Sequence, residues 1–246
     1  MNTTGNTVFI TGGASGIGLA LAHGFLARRN SVIVCGRNEE KLRQAKERYP
    51  DIRTMPCDIA VPSEVHDTME QLLADGVAPN VLVNNAGVQY RYDFLTDQRT
   101  LQKVDEEIDI NFRAVVRLTA MFLPVLRKAP ESAVVNISSV LGIVPKTSAP
   151  VYCATKAAVH AFSKSLRYQL GNTSVKVYEV VAPLVDTDMT RGREDDGGKI
   201  SPDGLAAAVF EALERDVYEI RPGRSGRTLF LHRLFPRLIE AALRRR

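Results

Sequence analysis

A phenol and an amine stand four residues apart in Tyr152-Cys-Ala-Thr-Lys156. On a helix that spacing puts both on one face, one turn apart. Ser139 lies thirteen residues before the tyrosine, just past an apolar run, and Ser138 stands beside it. In an open α/β sheet the ligand crevice lies at the carboxyl ends of the strands. Topology therefore carries Ser139 to the crevice, and the start of the following helix can bring Tyr152 there. Taken singly, the pair reads as an exposed helical pair.

A second motif speaks of phosphates. Thr11-Gly12-Gly13-Ala14-Ser15-Gly16-Ile17-Gly18 follows the first apolar run and opens the first helical pattern. Glycine is needed where backbone turns tightly, approaches a pyrophosphate, or lets helix and strand close up. The helix start then presents N–H groups to phosphate oxygens. The spacing is Gly-x3-Gly-x-Gly, and such a cluster alone also reads as a flexible turn. About 20 residues on, an acid would hold the ribose 2′-OH of NAD. The chain reads Cys35-Gly36-Arg37-Asn38 there, with no acid. A carboxylate would repel a 2′-phosphate, whereas a guanidinium pairs with it, so Arg37 points to NADP(H) over NAD(H). The bland alternative is a solvated Arg opening a charged helix. Asp58-Ile59 is placed to meet the adenine edge, although a loop Asp is nearly as good a reading.

These groups need a scaffold. Apolar runs at 8–11, 31–35, 52–56, 81–84, 134–138 and 175–181 predict strands, and 217–220 a last one. Helical patterns cover 16–29, 38–48, 63–74, about 98–129 with a break, 151–170 and 201–215. Strands alternating with helices predict an α/β fold: a single doubly wound parallel sheet, of Rossmann type, with helices on both faces. Residues 1–225 form that domain, and 226–246 a basic amphipathic tail. The chain has 246 residues, 45% hydrophobic and 24% charged, which excludes disorder, collagen and a disulfide-stapled miniprotein. Net charge is +4, but residues 221–246 hold eight Arg against Glu240, a net +7, leaving −3 elsewhere. A slightly acidic body argues against nucleic acid. Cys35, Cys57 and Cys153 lack ligand spacing, and the four histidines form no ligand pair, so no metal is expected. The scattered cysteines suit a reducing compartment. With neither a leader pattern nor an apolar run long enough to span a bilayer, a soluble cytoplasmic protein is expected.

Together the motifs resemble the short-chain dehydrogenase/reductase family. The match runs in order through Thr11–Gly18, Asn84-Asn-Ala-Gly87, Asn111, Ser139 and Tyr152–Lys156, and covers about residues 5–220. The stretch Thr173–Met189 is similar to the DltE-like branch of oxidoreductases. The resemblance implies hydride transfer between NADP(H) and a carbonyl or alcohol. It makes Tyr152 the general acid–base and has Lys156 lower its pKa and hold the nicotinamide ribose. Ser139 holds the substrate carbonyl, and Asn111 positions a water leading protons to Lys156. The cofactor would meet Gly12, Ser15, Gly16, Ile17, Gly18, Arg37, Asp58, Ile59, Asn85, Ala86, Gly87, Tyr152, Lys156, Val185 and Thr187. One departure stands beside the nicotinamide. The family's usual Pro-Gly is Ala182-Pro183 here, and proline has no N–H and fixes φ.

The intact Ser-Tyr-Lys-Asn set favours an enzyme over a non-enzymatic nucleotide-sensing protein on the same fold. Too few residues follow the last strand to build the substrate domain of a sugar epimerase or dehydratase. Tyr90, Tyr92, Phe94, Leu141, Val144 and Met189 are read as a moderately apolar substrate wall, and the polar stretch 186–200 as a mobile lid. A homodimer or homotetramer is expected from the resemblance. In the tail, Leu231, Leu234, Phe235, Leu238 and Ala242 recur at helical spacing, with Arg233, Arg237 and Arg244–Arg246 for the other face and Pro236 opening the helix. Such a helix can pack on a neighbouring subunit, cover the cleft, or lie on an anionic membrane; packing is the expectation.

Overall fold

The computed structural model describes residues 1–91, 94–192 and 198–244, with side chains as far as Ala242. Its strands are β1 (Thr7–Thr11), β2 (Ser31–Gly36), β3 (Arg53–Pro56), β4 (Val81–Asn84), β5 (Ser132–Ser139), β6 (Val175–Ala182) and β7 (Glu219–Ile220). All pair parallel in the order β3-β2-β1-β4-β5-β6-β7. The order reverses between β1 and β4, which opens the crevice of a doubly wound sheet. The helices are α1 (Gly16–Leu26), α2 (Glu39–Arg48), α3 (Pro62–Ala74), α4 (Thr100–Ile108), α5 (Ala114–Leu126), α6 (Pro150–Gln169), α7 (Pro202–Glu214), α8 (Ser225–Leu234) and α9 (Pro236–Arg244).

The strands read as unbroken apolar runs because both faces are covered. Side chains alternate between two cores. Val8, Ile10, Val81, Val83, Ala133 and Val135 join the cluster under α1 and α7. Phe9, Leu82 and Val134 join the opposite cluster, with Leu118 and Phe122 of α5. Register is thereby pinned, since a one-residue slip would exchange the two faces.

Three sequence expectations are refined. The pattern over 98–129 resolves into α4, a π-helical turn at Asp109–Arg113, and α5, which runs through Pro124. The last strand keeps only Glu219–Ile220, because Val217 and Tyr218 are exposed. The tail is two helices rather than one: α8 starts at Ser225, and Pro236, which cannot continue it without losing a hydrogen bond, opens α9. Leu229 and Ile239 seat them against Val140, Val144 and Val181. The lid expectation falls partly on residues 193–197, outside the described residues; around it, Val185 bridges Ile200.

Candidate active site

A cleft of about 1040 Å3 runs over the carboxyl ends of the strands. At one end it is floored by the glycine turn. A Cβ at Gly18 would lie 2.4 Å from the Gly12 carbonyl oxygen, so only glycine lets α1 start this close to β1. The first turn of α1 has neither a side-chain cap nor an acid. Its N–H groups and positive dipole end suit a phosphate. Asn85 Nδ2 donates to the Thr11 and Gly12 carbonyls at 2.9 and 3.1 Å, tying the turn to the end of β4. Below it, Asn84 donates to Asn136, and Asn136 to Ser163, bracing β4, β5 and α6.

Gly12, Ser15, Gly16, Ile17, Arg37, Asp58, Ile59, Asn85, Ala86 and Gly87 all line this end. Gly18 sits below the wall. Arg37 is about half exposed, with Nη1 donating to Glu106 Oε1 at 3.1 Å and 3.9 Å from Asp58 Oδ2. Lys41, in the first turn of α2, also lines the cleft and pairs with Asp188 at 3.0 Å. Lys41 has no spacing signal in the sequence, because Arg37 stands before the helix and only the chain's turn at Asn38 brings the two cations to one end of the cleft.

At the other end stand Ser139, Tyr152 and Lys156, with Val185 and Thr187. Ser139 ends β5, and its Oγ accepts from Leu141 N at 3.1 Å, capping the short turn Val140–Gly142. That turn lies on the backbone of α6: a Cβ at Gly142 would be 2.6 Å from the Lys156 carbonyl carbon. Tyr152 and Lys156 share the inner face of α6, both buried, with Nζ 5.7 Å from the phenol ring centroid. Nζ donates to the Ile137 carbonyl at 2.8 Å. Burial pushes the Lys156 amine down to about 8. Asn111, fully buried in the π-helical turn, does not line the cleft; its Oδ1 accepts from Val88 N at 2.8 Å and its Nδ2 donates to Val88 O at 2.9 Å. A Cβ at Gly87 would sit 3.1 Å from Asn111 Oδ1 and 3.7 Å from Lys156 Nζ. Glycine thus keeps open the space between the amide and the ammonium. These features fit a dinucleotide lying from the glycine turn to Lys156.

The expected substrate wall is corrected in part. Leu141 and Met189 line the cleft. Val144 is wholly buried beneath it, Phe94 is 61% exposed, and Tyr90 turns its hydroxyl to Glu106 at 2.6 Å. Tyr92 lies outside the described residues. The wall is more polar than the sequence suggested: Arg91, Lys146, Arg224, Ser225 and Thr228 contribute to it. The tail residues could not be foreseen, because α8 starts earlier than its periodicity implied. Pro183 is accommodated beside the cleft, and the chain after it is held by Ile200, whose N–H donates to Leu184 O and whose carbonyl accepts from Asp186 N. Ser138 also borders the cleft, but its hydroxyl is engaged, donating to buried Glu179, which also meets His160 Nδ1 at 2.9 Å. That carboxylate holds the imidazole above its usual pKa. Cys153 is buried, its thiol raised by that burial and set against the Lys146 backbone, which suits a packing role.

Known proteins resemble this chain in sequence and fold. The family model for short chain dehydrogenases matches residues 6–197. A Bacillus subtilis protein named uncharacterized oxidoreductase DltE is 47% identical over 198 residues, covering 80% of this chain and 79% of its own. An uncharacterized oxidoreductase of Staphylococcus epidermidis is 32% identical over 206 residues, covering 83% and 89%. Among solved structures, a Burkholderia cenocepacia short chain dehydrogenase in complex with NADP superposes with a TM-score of 0.86 at 24% identity, covering 99% of both chains. A Sphingobium yanoikuyae short-chain dehydrogenase in complex with NADPH gives 0.79 at 26%, covering 87% of each. A Burkholderia phymatum relative in complex with NAD gives 0.81 at 21%, covering 89% of each. With the family model spanning most of the chain and a relative this similar, the protein belongs to the short-chain dehydrogenase family.

Proposed function

We propose that the protein is an NADP(H)-dependent oxidoreductase interconverting a small carbonyl compound and its alcohol. The observation that carries this is one continuous cleft joining an uncapped helix start to a buried Tyr152–Lys156 pair beside Ser139. When bound, the nicotinamide supplies or accepts the hydride. Tyr152 gives its proton to, or takes it from, the substrate oxygen. An ammonium 5.7 Å from the ring, at an effective dielectric of about 20, stabilises the phenolate by about 3 kcal/mol, or roughly two pKa units. That brings a group of pKa near 10 towards working pH. The help holds while Lys156 is charged and fades as pH rises through about 8. Ser139 holds the substrate oxygen by its hydroxyl. Asn111, across the Gly87 gap from Lys156, positions the water that returns protons to the amine. Val185 and Thr187 border the nicotinamide end.

Arg37, with Lys41 beside it, selects the 2′-phosphate. One charge-assisted pair contributes roughly 1.5–3 kcal/mol, a 10- to 150-fold preference for NADPH over NADH. Glu106, now on Arg37, must then yield its place or share it. The reading includes a homodimer or homotetramer in the cytoplasm, which mass measurement in solution and fractionation address. The direct test titrates NADPH and NADH into wild type and Arg37→Ala, then screens aldehydes, ketones and alcohols by nicotinamide absorbance. Turnover with NADPH and loss of selectivity in the variant are expected. Equal affinities in wild type, or no turnover across the panel, would overturn it.

A further inference from the structure

We propose that the outer surface of α8 and α9 docks the protein on an anionic lipid surface. The inner side of these helices is already used: Leu229 and Ile239 lie against Val140, Val144 and Val181. What remains outside is apolar to an unusual degree. Phe230, Leu234, Phe235 and Leu238 are 61%, 54%, 56% and 68% exposed, and they follow one another within nine residues across the bend at Pro236. Large apolar side chains scattered singly over a surface need no explanation, but a run of four does. Around them Arg227, Arg233 and Arg237 are exposed. The one acid of the segment, Glu240, faces His232 at 3.3 Å, linking α9 to α8.

Charge decides the occupant. Residues 221–246 carry +7 and the rest of the chain −3; of those arginines Arg227, Arg233 and Arg237 stand exposed around the apolar side chains, whereas Arg221 pairs with Glu219 and Arg224 lines the cleft. A second copy meeting this face about a two-fold axis would set two such cationic surfaces against each other, because an isologous interface repeats the same patch. An anionic bilayer surface offers the opposite charge to the arginines and an apolar boundary to the four side chains. Among the described residues no helix is long and apolar enough to cross a membrane, so the contact is peripheral. The bend at Pro236 lets α8 and α9 both keep their seats on the body while Phe235 and Leu238 project.

The test is sedimentation of the full-length protein with vesicles of phosphatidylcholine alone or mixed equally with phosphatidylglycerol, at low and high salt. Binding is expected to the mixed vesicles only, and it should fall as salt screens the charges. Arg233→Gln with Arg237→Gln should weaken it by about 30-fold. Phe235→Glu with Leu238→Glu should abolish it. Both arginines are solvated, so the arginine variant keeps the question open to measurement if the glutamate variant fails to fold. The proposal falls if the mixed vesicles bring down no protein, or if binding survives unweakened in the arginine variant. It also falls if the variants change the mass in solution and leave vesicle binding alone, which would make the patch a contact between copies.

Discussion

The β5–β6 pair carries a tyrosine and a lysine near each of its ends, and the two sets have opposite chemistry. At the amino end Tyr178 and Lys176 of β6 meet Asp216, with Glu131 beside them. Burial and the carboxylate push the Tyr178 phenol far above its usual pKa. Burial favours the neutral form of Lys176, but hydrogen bonds to Asp216 and Glu131 outweigh it and hold the amine above its usual range. At the carboxyl end Tyr152 and Lys156 are both buried, Lys156 more deeply than Lys176, whose side chain is 26% exposed, and Lys156 donates to a carbonyl, not a carboxylate. A dipole does not repay the lost hydration of an ammonium as a full charge does, and the amine falls to about 8. The same two side chains are thus locked by ion pairs at one end and, in the proposed site, placed to exchange a proton at the other; the carboxylates and the depth of the lysine make the difference.

The largest contrast comes from removing one oxygen at each end. Tyr152→Phe should leave folding and NADPH affinity intact and lower turnover by at least about 100-fold on a substrate from the screen. Tyr178→Phe should leave turnover alone and cost about 1.5–3 kcal/mol of stability, since its hydroxyl donates to a charged acceptor. Steady-state kinetics and urea unfolding of both variants check this. A near-normal kcat in Tyr152→Phe would remove the distinction.

The lysines give the next effect. Lys156→Met should weaken NADPH by roughly tenfold or more and lower turnover as well, because the amine serves both ribose and phenol in the proposed site. Lys176→Met should leave NADPH affinity unchanged and lower Tm by a few degrees, as expected for about 1 kcal/mol in a chain of this size. Calorimetric titration with NADPH separates the two. Equal loss of NADPH affinity in both would mean that the ends are not independent.

Much of the carboxyl end was legible because it is local. The glycine turn, Arg37, Ser139 and the Tyr152–Lys156 pair are each short motifs whose places follow from strand–helix alternation. The wall opposite them was not legible. Arg224, Ser225 and Thr228 reach the cleft through the tail, a contact between segments about 70 residues apart from Tyr152 that no periodicity encodes. Phe94 and Val144 are apolar and were equally plausible as wall; tertiary packing sent one to solvent and the other to the core. Asn111 carries a motif signal, but the π-helical turn that buries it and bonds its amide to Val88 is hidden in a continuous helical pattern. The amino-end cluster was not legible, since Glu131, the β6 pair Lys176 and Tyr178, and Asp216 come from three separate stretches with no shared spacing beyond the strand alternation of the pair.

That cluster makes the last and smallest prediction. Burial pushes the Asp216 carboxyl up, but hydrogen bonds from Lys176, the chain's amino terminus and Tyr178 prevail and hold it well below the ordinary range. A carboxyl with a depressed folded pKa contributes stability that is present above its unfolded value, near 3.9, and is lost as pH falls through the folded one. The side chain is 40% exposed, so screening limits the effect to about 1 kcal/mol. Urea unfolding of wild type at about pH 6 and about pH 3 should reveal that loss, on top of what other carboxylates contribute. Asp216→Asn should start less stable and lose less over the same interval. If it lost as much as wild type, the carboxylate would not be what locks this end. The contrast with Lys156 would then have to rest on burial alone.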